Sequence, residues 1–280
     1  METMEHRPPD AVFDFANLPD AQLELATGAL LIAQSDYPEL DIAAYLQRLD
    51  AMADAIRQKV QGTALPEHHI AEMNRYLFEE QGFQGNSKDY YALGNNFLNV
   101  VLDRKRGLPI TLSVVYIEVG RRAGLPIVGV NFPSHFLVKY KREHLDVFLD
   151  AFDNGKFMSE EALSAKLQET FGQPIALQPS MLTEATNREI LSRILRNLMH
   201  AYTRLERHDA ALQAAQRITW FLPDSTAALR QFGYMLYRNS AYSDAISVFE
   251  RCLEFEENPV EIAAIERNIR VLRQLLARLN

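Results

Sequence analysis

One segment constrains the fold more than any other: Gly107-Leu108-Pro109 opens a stretch that Gly124-Leu125-Pro126 closes. Gly107 followed by Pro109 makes a turn into a helix, because proline at the first helical position gives up an amide that has no intrahelical acceptor anyway. Leu112, Val115, Tyr116 and Val119 form one apolar stripe. Arg121 and Arg122 sit in the last turn, where cations suit the helix dipole. Behind this helix two runs read as strands, Ile127–Tyr140 and Leu145–Phe152, separated by the charged turn Lys141–His144. That turn sets Lys139 opposite Asp146 and His135 opposite Asp150, and it groups Phe136, Val138 and Tyr140 with Leu145, Val147 and Leu149 on the other face. Helices beside a small antiparallel sheet make an α+β core.

The rest of the chain is helical. Leu46, Leu49, Ala53, Ile56 and Val60 recur at spacings of three and four. Thr63 and Pro66 announce a further helix through Leu77, which Gly82 and Gly85 end. A loop at Asn86–Asn95 leads to the apolar run Phe97–Leu102. Residues 1–18 are non-periodic and read as a mobile arm or loosely docked strand.

The C-terminal third differs in kind. Ala211 and Ala245 stand 34 positions apart, and the same offset relates Leu195 to Leu229, Leu198 to Phe232 and Leu212 to Ile246. This period resembles the tetratricopeptide repeat. Leu198, Tyr202, Ala211 and Pro223 carry the resemblance in one repeat, and Gly233, Ala245 and Phe249 in the next; Met199, Leu236 and Glu257 depart from it. A last helix opens with Asn258 and Pro259 and carries Ile262, Ile265, Ile269, Leu272, Leu276 and Leu279 on one face, as a capping helix for the array. The expected organisation is an arm at 1–19, a core domain at 20–180, and two degenerate repeats with an all-α cap at 181–280. The repeat register places Arg193, Arg196, His200 and Arg230 on the concave face, which points to a protein or acidic-peptide partner.

A formal charge of −8 and a pI near 5.4 leave no net basic surface for phosphates, so direct nucleic-acid binding is not expected. No apolar stretch approaches the roughly 20 residues of a membrane span. The start lacks a signal architecture, which places the protein in the cytoplasm. The single cysteine, Cys252, excludes an intrachain disulfide and reads as a buried packing residue. His68, His69 and Glu72 have helical spacing but no nearby third ligand, so neither a metal nor a cofactor is expected.

Papain-like and transglutaminase-like enzymes place a cysteine at a helix N-terminus and complete a triad with histidine and aspartate on adjacent strands. The segment from Gly107 to Pro126 resembles that helix, with Pro109 at the nucleophile position and His135 and Asp150 following in order. Proline has no nucleophilic atom, so thiol chemistry is excluded there. Thr111 lies near the vacated position, and Ser113 is one turn further on, which allows a conceivable Ser113–His135–Asp150 hydrolase or acyltransferase triad. Asn95–Leu102, Arg106–Ser113, Phe132–Val138 and Asp150–Gly155 together resemble the bacterial SirB-type family, a transglutaminase-like core followed by tetratricopeptide repeats. The resemblance implies that the proline is a family trait. With no nucleophile at that position, the expected function is non-catalytic, regulatory or protein-binding, and the Ser113 hydrolase or acyltransferase is the alternative. Ser134, Asn96 and Ala151 depart from the family pattern.

Overall fold

The computed structural model describes residues 10–142 and 146–279. Two compact units divide the chain. Among the described residues one comprises 20–190, and the other comprises 10–19 together with 191–279.

The first described element is α1 (Ala11–Ala16), a helix where an arm or strand was expected; residues 1–9 lie outside the described residues. Six residues do not hold a helix in isolation. Tertiary contacts supply the difference. Asp10 caps the helix, its Oδ1 accepting from Val12 N at 3.0 Å, while its Oδ2 accepts from Arg217 Nη2 at 2.8 Å and Nε at 3.1 Å. Phe13 meets Trp220 edge-on at 5.2 Å, and Val12, Phe15 and Ala16 are buried.

The core unit runs through α2 (Leu25–Ala33), α3 (Ile42–Val60), α4 (Pro66–Asn74), β1 (Gln84–Gly85), α5 (Leu98–Arg104), β2 (Arg106–Gly107) and α6 (Pro109–Arg122). β3 (Ile127–Val130), β4 (Leu137–Tyr140), β5 (Val147–Asp150), β6 (Lys156–Phe157), α7 (Glu160–Phe171) and β7 (Glu184–Ala185) follow, and α8 (Asn187–Arg204) starts at its end. The helix expected from Pro109 to the Arg121-Arg122 pair is present with those bounds. It is the centre of the unit: every residue from Pro109 to Gly120 is buried, against α3, α5, β3 and β4. Gly120 permits the approach of the sheet, since a Cβ there would lie 2.4 Å from Ile127 Cδ1.

The five-stranded sheet has the order β6-β5-β4-β3-β7 and is antiparallel throughout. Two expectations fail within it. The run Ile127–Tyr140 is two strands, β3 and β4, paired Ile127 to Tyr140 and Val130 to Leu137. Pro133, which has no amide to donate, and Ser134, whose φ is +56°, turn the chain between them. The β4–β5 register is Val138 to Leu149 and Tyr140 to Val147, two residues from the expected one. Because side chains alternate with period two, a two-residue shift leaves the faces unchanged. Lys139 lies opposite Phe148 and still reaches Asp146 diagonally at 3.1 Å. The tip of the expected turn, with Leu145, lies outside the described residues.

In the helical unit α8 leads to α9 (His208–Phe221), α10 (Thr226–Arg238), α11 (Tyr242–Leu253) and α12 (Pro259–Leu279). α9 packs on α10, α10 on α11 and α11 on α12. The 34-residue offset recurs in the backbone. α9 and α11 start at His208 and Tyr242, the left-handed residues before them are Glu206 and Ser240, and the amides of Arg207 and Ala241 bond the carbonyls of Tyr202 and Leu236. Gly233 packs under Phe249, where a Cβ would fall 2.7 Å from the ring. The pair 34 positions earlier is Met199 and Ala215, both buried, so the bulky residue lies on the other member of the pair. The expected stripe of α12 buries Ile265, Ile269 and Leu272, while the side chain of Leu279 lies outside the described residues. No described helix is long and apolar enough to cross a membrane.

Candidate functional site

His135 leaves the Pro133-Ser134 turn just before β4, and Asp150 ends β5 and caps the short turn Ala151–Asp153. The fold brings them together: His135 Nε2 lies 2.8 Å from Asp150 Oδ2. The same oxygen is 3.5 Å from Lys166 Nζ on α7, and Oδ1 accepts from Phe152 N at 3.0 Å. A carboxylate oxygen only accepts, so Nε2 carries the proton and Nδ1 is left without a hydrogen-bond partner among the described residues. The two side chains are 10% and 5% exposed. Burial pushes the Asp150 carboxyl upward. The His135 hydrogen bond and charge, the Lys166 charge and the Phe152 amide outweigh it, holding Asp150 below the usual carboxylate range.

The opposite end of the site is built on the start of α6. Pro109 is its first residue and is buried. Thr111 supplies the missing cap: its Oγ1 accepts from Leu108 N at 2.9 Å and donates to Asn95 O at 2.8 Å. Asn95 in turn donates to Asp89 O and Tyr90 O and accepts from Asn86, fixing the loop that precedes it. From that loop Tyr90 reaches Phe152, two residues beyond Asp150, with ring centroids 5.9 Å apart. Polar bonds therefore run from the helix start into a loop that touches the turn capped by Asp150.

Ser113 does not join them. Its side chain is fully buried and its Oγ has no hydrogen-bond partner, so the Ser113–His135–Asp150 triad is not assembled. Asn96 Oδ1 and Asn99 Oδ1 are likewise buried without a partner.

A profile of the transglutaminase-like superfamily matches residues 43–196, more than half of the chain and the whole of this site. A UPF0162 protein of Xylella fastidiosa (strain Temecula1) is 35% identical over 244 residues, 86% of this chain and 87% of its own length. The chain belongs to the transglutaminase-like superfamily and to the UPF0162 family. A UPF0162 protein of Vibrio cholerae is 27% identical over 89% of this chain and 93% of the relative. Human F-box only protein 21 shares 40% identity over 92 residues, 30% of this chain and 15% of that protein. A crystal structure of menin superposes on 89% of this chain and 71% of its own with a TM-score of 0.38 and 9% identity, a likeness too distant to define the fold.

In this transglutaminase-like chain the other candidates are tied to local structure or lie in the helical unit. His69 Nε2 donates to Thr63 O at 2.9 Å, so its Nδ1 accepts from Tyr140 Oη at 2.7 Å. His68 Nε2 faces Lys59 O at 3.3 Å, and Glu72 pairs with Arg75. No group of three metal-ligating side chains gathers among the described residues. Cys252 is buried, its Sγ 3.5 Å from Thr226 O, and burial pushes its thiol up. Arg193 and Arg196 are half-buried on α8 and His200 is exposed, whereas Arg230 on α10 pairs with Glu261 of α12.

Sequence reasoning missed two participants and the role of a third. Lys166 gave no signal, because it reaches Asp150 from a helix whose placement was not legible. Glu261 was readable as an acid in the first turn of α12, but its partner was not. Thr111 was noted for its place and proves to be the cap.

Proposed function

We propose that the protein is a non-catalytic, regulatory or protein-binding member of its superfamily. In this reading a transglutaminase-like core without a nucleophile, of SirB type, is joined to a tetratricopeptide-repeat module that takes a protein or acidic-peptide partner in the cytoplasm. The observation that carries it is the start of α6. The nucleophile position is a buried proline, the neighbouring threonine is committed to capping, and the nearest serine hydroxyl makes no bond to His135. A base that is oriented but has no atom to deprotonate performs no acyl transfer. The recurrence of helix starts, left-handed residues and hydrogen bonds at 34 positions supports the repeat reading.

A panel of amide, ester and thioester substrates tests it. The expected result is no turnover above blank for the intact protein. Turnover that is abolished by both Ser113→Ala and His135→Ala would overturn the reading in favour of a hydrolase or acyltransferase.

A further inference from the structure

The two repeats treat one position differently. Arg196 on α8 and Arg230 on α10 stand 34 positions apart, the offset that also relates the buried Leu195 and Leu229. In the second copy the guanidinium is met by the carboxylate of Glu261, from the first turn of α12. The corresponding first turn of α10 reads Thr226-Ala227-Ala228. Whether α10 and α12 are aligned by the repeat offset or by Ser225 and Asn258, Glu261 falls on an alanine.

No other acid compensates along these helices. α10 contains none, and α8 contains none after Glu189, in a chain whose formal charge is −8. Arg196 is half-buried and makes no hydrogen bond or ion pair among the described residues. His200, four residues on and therefore on the same helix face, makes none either. Burial holds Arg196 below its ordinary range, and burial with the Arg196 charge does the same for His200. A partly desolvated guanidinium without a counter-charge gains from any carboxylate that can dock on it bidentately.

We infer that Arg196 and His200 form a binding site for a partner's carboxylate, the role that Glu261 fills internally at Arg230. The inference rests on the protein-binding reading above and names its ligand chemistry. The carboxylate can come from an acidic side chain or from a chain terminus.

Fluorescence anisotropy on the intact protein separates the cases with three labelled peptides: a glutamate-rich peptide with an amidated end, its glutamine counterpart with an amidated end, and the glutamine counterpart with a free end. A charged peptide of either kind is expected to bind more tightly than the neutral one, and which of them does so identifies the source. Arg196→Gln is expected to weaken that binding by about tenfold or more. Ala227→Glu, at an exposed position, is expected to do the same by presenting an internal carboxylate. Glu261→Ala is expected to free Arg230 and add a second site. Circular dichroism checks that each variant is folded, and the Ala227 and Glu261 variants do not require removal of Arg196. Equal binding of all three peptides, or a preference for the charged peptide that survives both Arg196→Gln and Ala227→Glu, would overturn the site. The enzymatic panel reports on the parent reading independently, since turnover there depends on the core and not on α8.

Discussion

The two ends of the candidate site are built differently. At one, Asp150 joins His135 and Lys166, and its carboxylate fixes which ring nitrogen of His135 carries the proton toward it. At the other, Pro109 and Thr111 have turned the start of α6 into a folding device, with the hydroxyl serving both the helix cap and the neighbouring loop. The contrast separates two things that an active triad combines. On the reading proposed above the base is oriented with no nucleophile to serve, and the aspartate that orients it also caps a turn and meets a lysine.

The largest test of this contrast removes the aspartate. Asp150→Ala is expected to cost about 3 kcal/mol in denaturant unfolding, because it removes a buried carboxylate that bonds a largely buried histidine, faces a half-buried lysine and caps the following turn. A cost below about 1 kcal/mol would mean that the base end is not structural. The same group sets an acid limb. Asp150 titrates lower in the folded protein than the usual value near 3.9 of an unfolded chain, so its contribution is complete above that value and is lost as pH falls through the folded one. Asp150→Asn is expected to flatten that part of the stability–pH curve.

Thr111→Val probes the other end and is expected to cost about 1–2 kcal/mol, read from the unfolding midpoint, through loss of the cap and of the bond to Asn95. Ser134→Gly is expected to stabilise by about 0.5 kcal/mol, since relief of the left-handed backbone slightly exceeds the entropy of glycine. The smallest effect is expected from Ser113→Ala, neutral to about 0.5 kcal/mol stabilising in the same assay, because its buried hydroxyl has no bond to lose and a desolvation cost to relieve. A clear loss there would reveal a partner for Ser113 and reopen the triad.

Local chemistry made the helix of the site legible. Proline at its start and a basic pair before the closing glycine defined α6 without help from the rest of the fold. The pairing of His135 with Asp150 was legible too, although the register behind it was not. Strands of four residues hold too few side chains to choose between registers that preserve the same faces. The break at Pro133 and Ser134 was written in the sequence as a turn signal inside an apolar run, and the run concealed it. α1, β6 and β7 are short and exist through what they dock against, so no local pattern announces them. The Arg230–Glu261 pair required knowing which turn of α12 faces α10.

The exchange of bulk between Met199 with Ala215 and Gly233 with Phe249 has a bearing on how such arrays can change. A helix carrying methionine does not suit a partner carrying phenylalanine, and a helix carrying glycine leaves a void beside alanine. The sizes are therefore matched within each helix pair and not between pairs. Duplication or recombination that cuts between pairs leaves packing intact, while a cut within a pair creates a clash in one product and a hole in the other.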